Sequence, residues 1–170
     1  MVTGLGARRA IATAAAWTAL LLLMTGCGSG VAAPTGKPGT QAVTIAGRTF
    51  HLELAMDDAS RLHGLSDRAE IPADGGMLFV FPQPRSVSFV MRRCLVPIDI
   101  IYLDPNGRVV QTHAMQVEPY DTPERKLRLY PSQWPAQFAI ELRGGTLETL
   151  GLQLGQKIDM PLDALKQQAR

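Results

Sequence analysis

Residues 98–113 read IDIIYLDPNGRVVQTH, in which two runs of apolar, β-prone residues flank Asp104-Pro105-Asn106-Gly107. Proline, asparagine and glycine favour tight turns, because each adopts at low energy a backbone conformation that turns need. Val, Ile and Tyr are common in strands, since their side chains pack well on a pleated surface. The pattern therefore predicts a β-hairpin with strands over 98–103 and 108–113.

Comparable runs lie on both sides of this hairpin. Alternating polar and apolar residues indicate strands buried on one face, and continuous apolar runs indicate strands buried on both. The two patterns predict further strands at 43–45, 49–54, 77–81, 86–91, 138–142 and 157–160. The first two form a hairpin, Pro82 and Pro84 end the strand at 77–81, and the segment at 157–160 closes the sheet.

Helical signals are few and short. Asp57 can cap a helix over 57–64 that Gly64 ends, a helical turn is indicated at 146–150, and Pro161 can open a terminal helix. The sequence therefore predicts a mainly β domain with one or two short helices. This α+β chain is expected to form a compact antiparallel barrel-like or sandwich domain.

The N-terminal residues resemble an export signal. Arg8 and Arg9 precede a charge-free stretch at 10–24, shorter than the about 20 residues that span a bilayer. Leu23-Met24-Thr25-Gly26-Cys27 follows and is similar to a bacterial lipobox, in which the signal is cut before the cysteine and the cysteine is acylated. We expect a signal peptide at 1–26 and lipidation of Cys27; an ordinary secretory signal is the alternative.

A linker and a single domain are expected after the signal. Residues 27–41 are rich in Gly, Pro, Ser and Thr, which predicts a flexible tether, and the folded domain is expected over 42–170. The protein would then be exported and anchored by lipid to the bacterial membrane, facing the periplasm. Gly28 after the cysteine, where an aspartate retains some lipoproteins in the inner membrane, favours the outer membrane of a diderm cell.

The charge balance excludes nucleic acid as a partner. The chain carries 17 Lys and Arg against 15 Asp and Glu, and removal of residues 1–26, with Arg8 and Arg9, makes it neutral. Nucleic-acid binding depends on excess positive charge that neutralises phosphates. Lipidation of Cys27 leaves Cys94 as the sole thiol, so no internal disulfide is expected and Cys94 is interpreted as a small buried residue.

Several motifs occur in an order that is specific as a set. They are Arg61-Leu62-His63-Gly64-Leu65, Gly75-Gly76-Met77-Leu78-Phe79-Val80-Phe81, Ser88-Phe89-Val90-Met91, Val96-Pro97-Ile98-Asp99-Ile100, Asp104-Pro105-Asn106-Gly107-Arg108-Val109-Val110 and Glu141-Leu142-Arg143-Gly144-Gly145. Together they resemble the DUF192 family over roughly residues 43–160. The resemblance implies a single β-rich domain, frequently secreted or lipid-anchored, and implies no particular activity.

Three positions depart from the family pattern. The family's aromatic-Trp-Met-Lys-Asn-Thr stretch is Phe89-Val90-Met91-Arg92-Arg93-Cys94 here, so the tryptophan and the amide are missing. Ser66 replaces a common Met, and Gln156 replaces a common Asp. A ligand that the family holds through the tryptophan or the amide would be bound differently here.

Asp99 is the most unusual polar residue, because it lies inside an apolar run. A buried carboxylate needs a partner, and Arg61 is the first candidate and Arg92 the second. The pair would be a structural link between helix and sheet or a polar group at the mouth of a pocket. Glu141, on the last core strand, would join Asp99 as an acid/base pair if the two lie close together.

Metal binding and nucleophilic catalysis have weak sequence support. Met77, Met91, Cys94 and His113 are soft ligands of the kind that copper(I) prefers, but core packing also explains the methionines, and no metal motif or cofactor is indicated. Ser66 is not in a nucleophile-elbow motif.

The long loop at 116–135 supplies an interaction hypothesis. It carries Tyr120, Tyr130 and Trp134, residue types that partner surfaces favour. The alternative is that Tyr130 and Trp134 fold back to cover an open end of the sheet.

The sequence thus predicts a membrane-anchored envelope lipoprotein that acts as a non-enzymatic binding or interaction module. Its partners would be the membrane, through the lipid, and an envelope protein or a small-molecule ligand. The alternatives are a hydrolase or other envelope enzyme that uses Asp99 and its neighbours, and a soft-metal or copper carrier.

Overall fold

The computed structural model describes residues 39–170. The predicted signal peptide, Cys27 and the tether as far as residue 38 lie outside the described residues. Thr40 and Gln41, assigned to the tether from the sequence, already belong to the first strand. The ordered sheet therefore begins slightly before the predicted boundary at residue 42.

Within the described residues the chain forms eight strands and three short α-helices. The strands are β1 (Thr40–Ile45), β2 (Arg48–Ala55), β3 (Gly75–Arg85), β4 (Ser88–Phe89), β5 (Ile98–Leu103), β6 (Val109–Met115), β7 (Tyr130–Pro131) and β8 (Ala136–Arg143). The helices are α1 (Asp58–His63), α2 (Thr146–Leu150) and α3 (Leu162–Gln168), and a 3-10 turn covers Glu124–Lys126. None of these helices is long and apolar enough to cross a bilayer.

The main sheet has six strands in the order β1-β2-β3-β8-β5-β6, and β4 pairs with β7 separately. The edge strands β1 and β6 do not pair with each other, so the sheet is open and the domain is sandwich-like. The sheet is antiparallel as predicted except between β2 and β3, which run parallel. The connection through α1 returns the chain to its starting end, which a parallel pair requires.

Strand boundaries differ from the sequence prediction at both prolines and at two segments. β3 continues through Pro82 and Pro84, since its register with β8 shifts between Val80 and Arg85 and the prolines need no ladder hydrogen bond there. The strand predicted at 86–91 is reduced to the two residues of β4. The segment at 157–160 forms only single bridges, from Lys157 to Arg108 and from Asp159 to Thr44.

The six-stranded sheet is buried on both sides. One side, here called the helix face, packs against α2 and α3 through aliphatic residues such as Leu150 and Leu165. The other side, the loop face, is covered by irregular segments and by β4 and β7, and holds more aromatic and sulfur-containing residues, among them Phe79 and Cys94. Two cores on one sheet explain why β3, β5 and β8 read as nearly continuous apolar runs.

The first helix, α1, begins and ends at the residues that the sequence predicts. Asp57 accepts a hydrogen bond from the Ser60 backbone N–H at 2.8 Å, and the Ser60 hydroxyl accepts one from the Asp57 N–H at 3.2 Å. This reciprocal capping fixes the start of α1. Gly64 ends α1 with a φ of 53°, a left-handed conformation that a side chain would strain.

Candidate functional site

A cleft of about 510 Å³ opens on the loop face. Its walls come from α1 and the residues that follow it, from the segment 85–90, and from Arg92 and Cys94. Phe79 on β3 and Glu141 on β8 contribute from the sheet. We call this depression the Glu141 cleft, after the most unusual group in it.

Glu141 is a buried carboxyl with an unsatisfied oxygen. The register of β8 places it opposite Met77 and Ile100, both of which belong to the loop-face core. Glu141 is 5% exposed, and its Oε2 has no hydrogen-bond partner among residues 39–170. Burial disfavours the charged form and raises the pKa of Glu141 to about 8. The carboxyl is therefore protonated at neutral pH, with both a donor and an acceptor to offer.

Aromatic rings and a glycine surround this carboxyl. Phe79 and Phe89 meet edge to face, with ring centroids 4.8 Å apart. A Cβ atom at Gly64 would lie 3.4 Å from the Phe79 ring and 3.7 Å from Glu141 Oε2. The backbone at the end of α1 thus lies directly beside the carboxyl oxygen, and no side chain of residue 64 stands between them.

Arg61 and Arg92 line the same cleft, but neither pairs with Asp99. Arg61 donates to the Val80 carbonyl at 2.8 Å, to Asp58 at 2.7 Å and to the Arg170 carbonyl. Its side chain is only 10% exposed, whereas Asp58 is fully in solvent. Its bond to the β3 backbone therefore holds α1 against the sheet more firmly than the exposed ion pair does.

Arg92 joins the cleft wall to the long loop. It donates to the Leu62 carbonyl, and its Nη1 contacts both Glu124 oxygens at 3.2 and 3.3 Å. The Glu124 side chain is 68% exposed, so this ion pair is weak and easily exchanged.

Asp99 lies on the helix face, and the predicted ion pair with Arg61 or Arg92 is wrong. Its Oδ2 accepts a hydrogen bond from the Leu147 backbone N–H at 2.7 Å, and the N–H groups of Gly145 and Thr146 add to it. Burial raises the pKa of Asp99, and these bonds act in the opposite direction. The side chain satisfies the first turn of α2, so it does link a helix to the sheet, through backbone donors and not through an arginine.

Asp99 and Glu141 cannot act as an acid/base pair. Asp99 is opposite Leu142, a helix-face residue, whereas Glu141 is opposite Ile100 on the loop face. Successive side chains alternate across a strand, so the two carboxyl groups lie on opposite sides of the sheet.

The predicted soft ligands lie mostly in the loop-face core. Met77, Met91 and Cys94 are buried there, as core packing predicts. Burial raises the pKa of the Cys94 thiol to about 12, so it is no thiolate at neutral pH. Nε2 of His113 is within 2.8 Å of the Pro131 carbonyl. Residues 39–170 contain no group of three or more His, Cys, Asp or Glu placed to hold a metal ion.

The three aromatic residues of the long loop have different environments. Tyr130 is buried, and its hydroxyl accepts from the Gln116 N–H at 3.2 Å, so this residue folds back onto the sheet. Tyr120 bonds to Asp67 and Arg93 at 2.8 Å each. Trp134 is 66% exposed and covers no core. The predicted common interaction surface therefore lacks Tyr130.

Sequence reasoning missed the aromatic part of the cleft. The sequence predicts Phe79 and Phe89 only as strand residues, and nothing in their spacing shows that they meet in the cleft that Glu141 lines. The one available signal was a glutamate inside the apolar run at 138–142.

These observations define a sandwich-like α+β domain with a surface cleft. Within residues 39–170, one buried carboxyl oxygen of that cleft has no hydrogen-bond partner. The model of the DUF192 family, described as "Uncharacterized ACR", matches residues 41–160. The chain belongs to the DUF192 family. No curated protein is significantly similar to it.

Two solved structures have a similar fold. One is a protein of unknown function from Novosphingobium aromaticivorans DSM 12444, 30% identical, with a TM-score of 0.63 over 76% of this chain and 94% of that one. The other, from Sinorhizobium meliloti 1021, is described as a "putative transcription regulator"; it is 29% identical, with a TM-score of 0.59 over 71% of this chain and 90% of that one. These likenesses support the fold and the family.

Proposed function

We propose that this protein is an envelope lipoprotein that binds a small molecule non-enzymatically in the Glu141 cleft. The observation that carries the proposal is the buried, partnerless Oε2 of Glu141. Most buried polar groups in proteins have a hydrogen-bond partner, and one without a partner destabilises the fold by about 1–3 kcal/mol. A ligand that hydrogen-bonds to this oxygen recovers that energy on binding.

The size and lining of the cleft support binding of a small molecule. Its volume of about 510 Å³ lies within the range of small-molecule sites. Such sites combine apolar walls with a few polar groups that orient the ligand. Phe79 and Phe89 supply the walls, and Glu141 supplies the orienting group.

Binding fits the cleft better than catalysis does. The enzyme alternative relied on Asp99, which faces the other side of the sheet and already binds α2. Ser66 donates its hydroxyl to the Arg92 carbonyl at 2.9 Å, and Cys94 keeps its proton at neutral pH. A copper carrier also has less support, because Met77, Met91 and Cys94 are buried in the loop-face core, where packing accounts for them.

Membrane anchoring enters the proposal through the sequence of residues 1–27. The charge-free stretch and the lipobox-like residues before Cys27 support export and acylation. We expect the wild-type chain in the membrane fraction and the Cys27→Ser chain in the soluble envelope fraction, as measured by fractionation and by the mass of the N-terminal peptide. Equal distribution of both chains would contradict the anchor.

The binding proposal is tested by blocking the cleft. We expect fragments from a small-molecule library to give ligand-observed NMR signals with the full chain and none with Ser88→Trp, because Ser88 is an exposed residue of the cleft wall. Leu129→Trp is the matched control, since Leu129 is 65% exposed and does not line the cleft. Fragments that bind the blocked chain as well as the control would refute the proposal.

A further inference from the structure

We infer that the ligand of the Glu141 cleft is a small organic acid with an apolar or aromatic body and a hydroxyl or carbonyl group at its far end. This inference rests on the proposed function and adds the chemical class of the ligand. It follows from two features of the cleft lining: its arginines and the buried carboxyl of Glu141.

The lining of the cleft is rich in arginine, and Arg85 is its exposed arginine. Arg61, Arg85 and Arg92 line the cleft, against the carboxylates of Asp58 and Glu124. Both carboxylates are exposed, with side-chain exposures of 101% and 68%, so their hold on the arginines is weak. The lining therefore has an excess of positive charge once Glu141 is protonated.

Two of these arginines can accept a new carboxylate. The exposed Arg85 makes no side-chain hydrogen bond or ion pair within residues 39–170. Arg92 holds Glu124 through one nitrogen only, at 3.2 and 3.3 Å, which is not the parallel fork of a strong pair. A ligand carboxylate that displaces Glu124 gains a guanidinium partner without breaking a buried contact.

The inner part of the cleft favours an uncharged group. Glu141 lies there among the rings of Phe79 and Phe89 and beside Gly64. A hydroxyl or carbonyl pairs with the neutral carboxyl through one hydrogen bond, while the body of the ligand packs against the rings. An amine is protonated at neutral pH, so it would have to pass the positively charged arginines, and Glu141 would have to lose its proton to pair with it. An amine is therefore the disfavoured ligand type.

The test uses four probes with one ring and one side-chain length. They are 3-(4-hydroxyphenyl)propanoate, its primary amide, the corresponding amine, and 3-phenylpropanoate, which lacks the hydroxyl. Each is titrated against the full chain at neutral pH. We expect the hydroxylated acid to bind about tenfold or more tightly than the amide, as a charge-assisted hydrogen bond provides, and the amine to bind weakest. Loss of the hydroxyl is expected to weaken binding severalfold.

Variants assign each end of the ligand to its residues. Arg85→Gln and Arg92→Gln should each reduce the preference for acid over amide and leave amide binding unchanged. Glu141→Leu should abolish the advantage of the hydroxylated acid over 3-phenylpropanoate. Arg85→Gln removes no side-chain hydrogen bond or ion pair within residues 39–170, so it keeps the test valid even if Arg92→Gln is unstable.

The outcomes separate this inference from the proposed function. If the amine binds most tightly, or if library fragments occupy the cleft and none of the four probes does, the ligand class is wrong and the binding function stands. If the Ser88→Trp chain binds fragments as well as the Leu129→Trp chain does, the proposed function fails and the inference fails with it.

Discussion

The two faces of the central sheet each bury one carboxyl group, and the two groups differ in their partners. Asp99 on the helix face is 1% exposed and receives backbone hydrogen bonds from the start of α2. Glu141 on the loop face is 5% exposed and leaves one oxygen without a bond. Equal burial therefore accompanies a structural role on one face and a candidate ligand contact on the other, and the hydrogen bonds make the distinction.

The largest change in the free energy of unfolding is expected from replacing Asp99, the carboxyl that has hydrogen-bond partners. Asp99→Ala should lower the free energy of unfolding by about 1–3 kcal/mol, because it removes the acceptor of the first N–H groups of α2. Urea denaturation measures the loss. Asp99→Asn keeps one oxygen acceptor and should lose less; equal losses for both variants, or a loss below about 0.5 kcal/mol for alanine, would contradict the capping role.

Replacement of Glu141 should raise the free energy of unfolding, whereas replacement of Asp99 lowers it. Burial raises the pKa of Glu141 from 4.5 to about 8, so the folded state binds one more proton than the unfolded state between these values. The free energy of unfolding of the wild type should therefore fall as the pH rises from about 4.5 to about 8 and then level off.

Glu141→Gln replaces the carboxyl with an amide that does not titrate. This variant should be about 1–3 kcal/mol more stable than the wild type at pH 8, and the difference should shrink towards pH 5. Urea titrations at several pH values measure it. Subtraction of the two curves cancels the contribution of the histidines to the pH dependence. Glu53→Gln serves as a control, because Glu53 already has a partner, Arg68, at 2.6 Å. Parallel curves for the wild type and Glu141→Gln would contradict the raised pKa.

A smaller effect is expected from the cover of the loop face. The Tyr102 hydroxyl donates to the Tyr130 carbonyl at 2.6 Å and so ties β7 to the sheet. Tyr102→Phe should lower the free energy of unfolding by about 1 kcal/mol, since it removes one buried hydrogen bond. Thermal and urea unfolding measure it. Tyr130→Phe removes the longer bond from Gln116 at 3.2 Å and should lose less; the reverse order would show that the Tyr102 bond does not hold the cover.

The smallest effect is expected at Trp134. This side chain is 66% exposed and packs against neither core. Trp134→Ala should change the free energy of unfolding by less than about 0.5 kcal/mol, as is usual for surface positions. A loss above about 1 kcal/mol in urea unfolding would show that Trp134 covers the loop face after all.

The local parts of the fold could be predicted from the sequence. Both hairpins and the capped helix α1 follow from turn residues and caps within a few positions. The parallel pairing of β2 with β3 could not be predicted, because it depends on how the connection crosses the sheet. The sequence predicts that Pro82 and Pro84 end the strand, but β3 continues through them. Whether a strand can contain a proline depends here on the local register with β8, which the sequence does not show.

The site was only partly predictable. The sequence predicts Arg61, Arg92 and Glu141 as polar site residues, and the three line one cleft. Asp99, the most unusual polar residue of the sequence, lies on the other face of the sheet. Strands buried on both sides show no alternation of polar and apolar residues, so the sequence cannot say which face a carboxyl occupies. Register supplies that answer, and register is a property of the assembled sheet.

The place of β8 between β3 and β5 has a consequence for synthesis. The β5–β6 hairpin can form as soon as its own residues emerge, but β3 pairs on that side only with β8, which follows much later in the chain. Until then one edge of β3, with its apolar side chains, stays open to other chains. We therefore expect nascent chains that stop before residue 136 to aggregate through this edge.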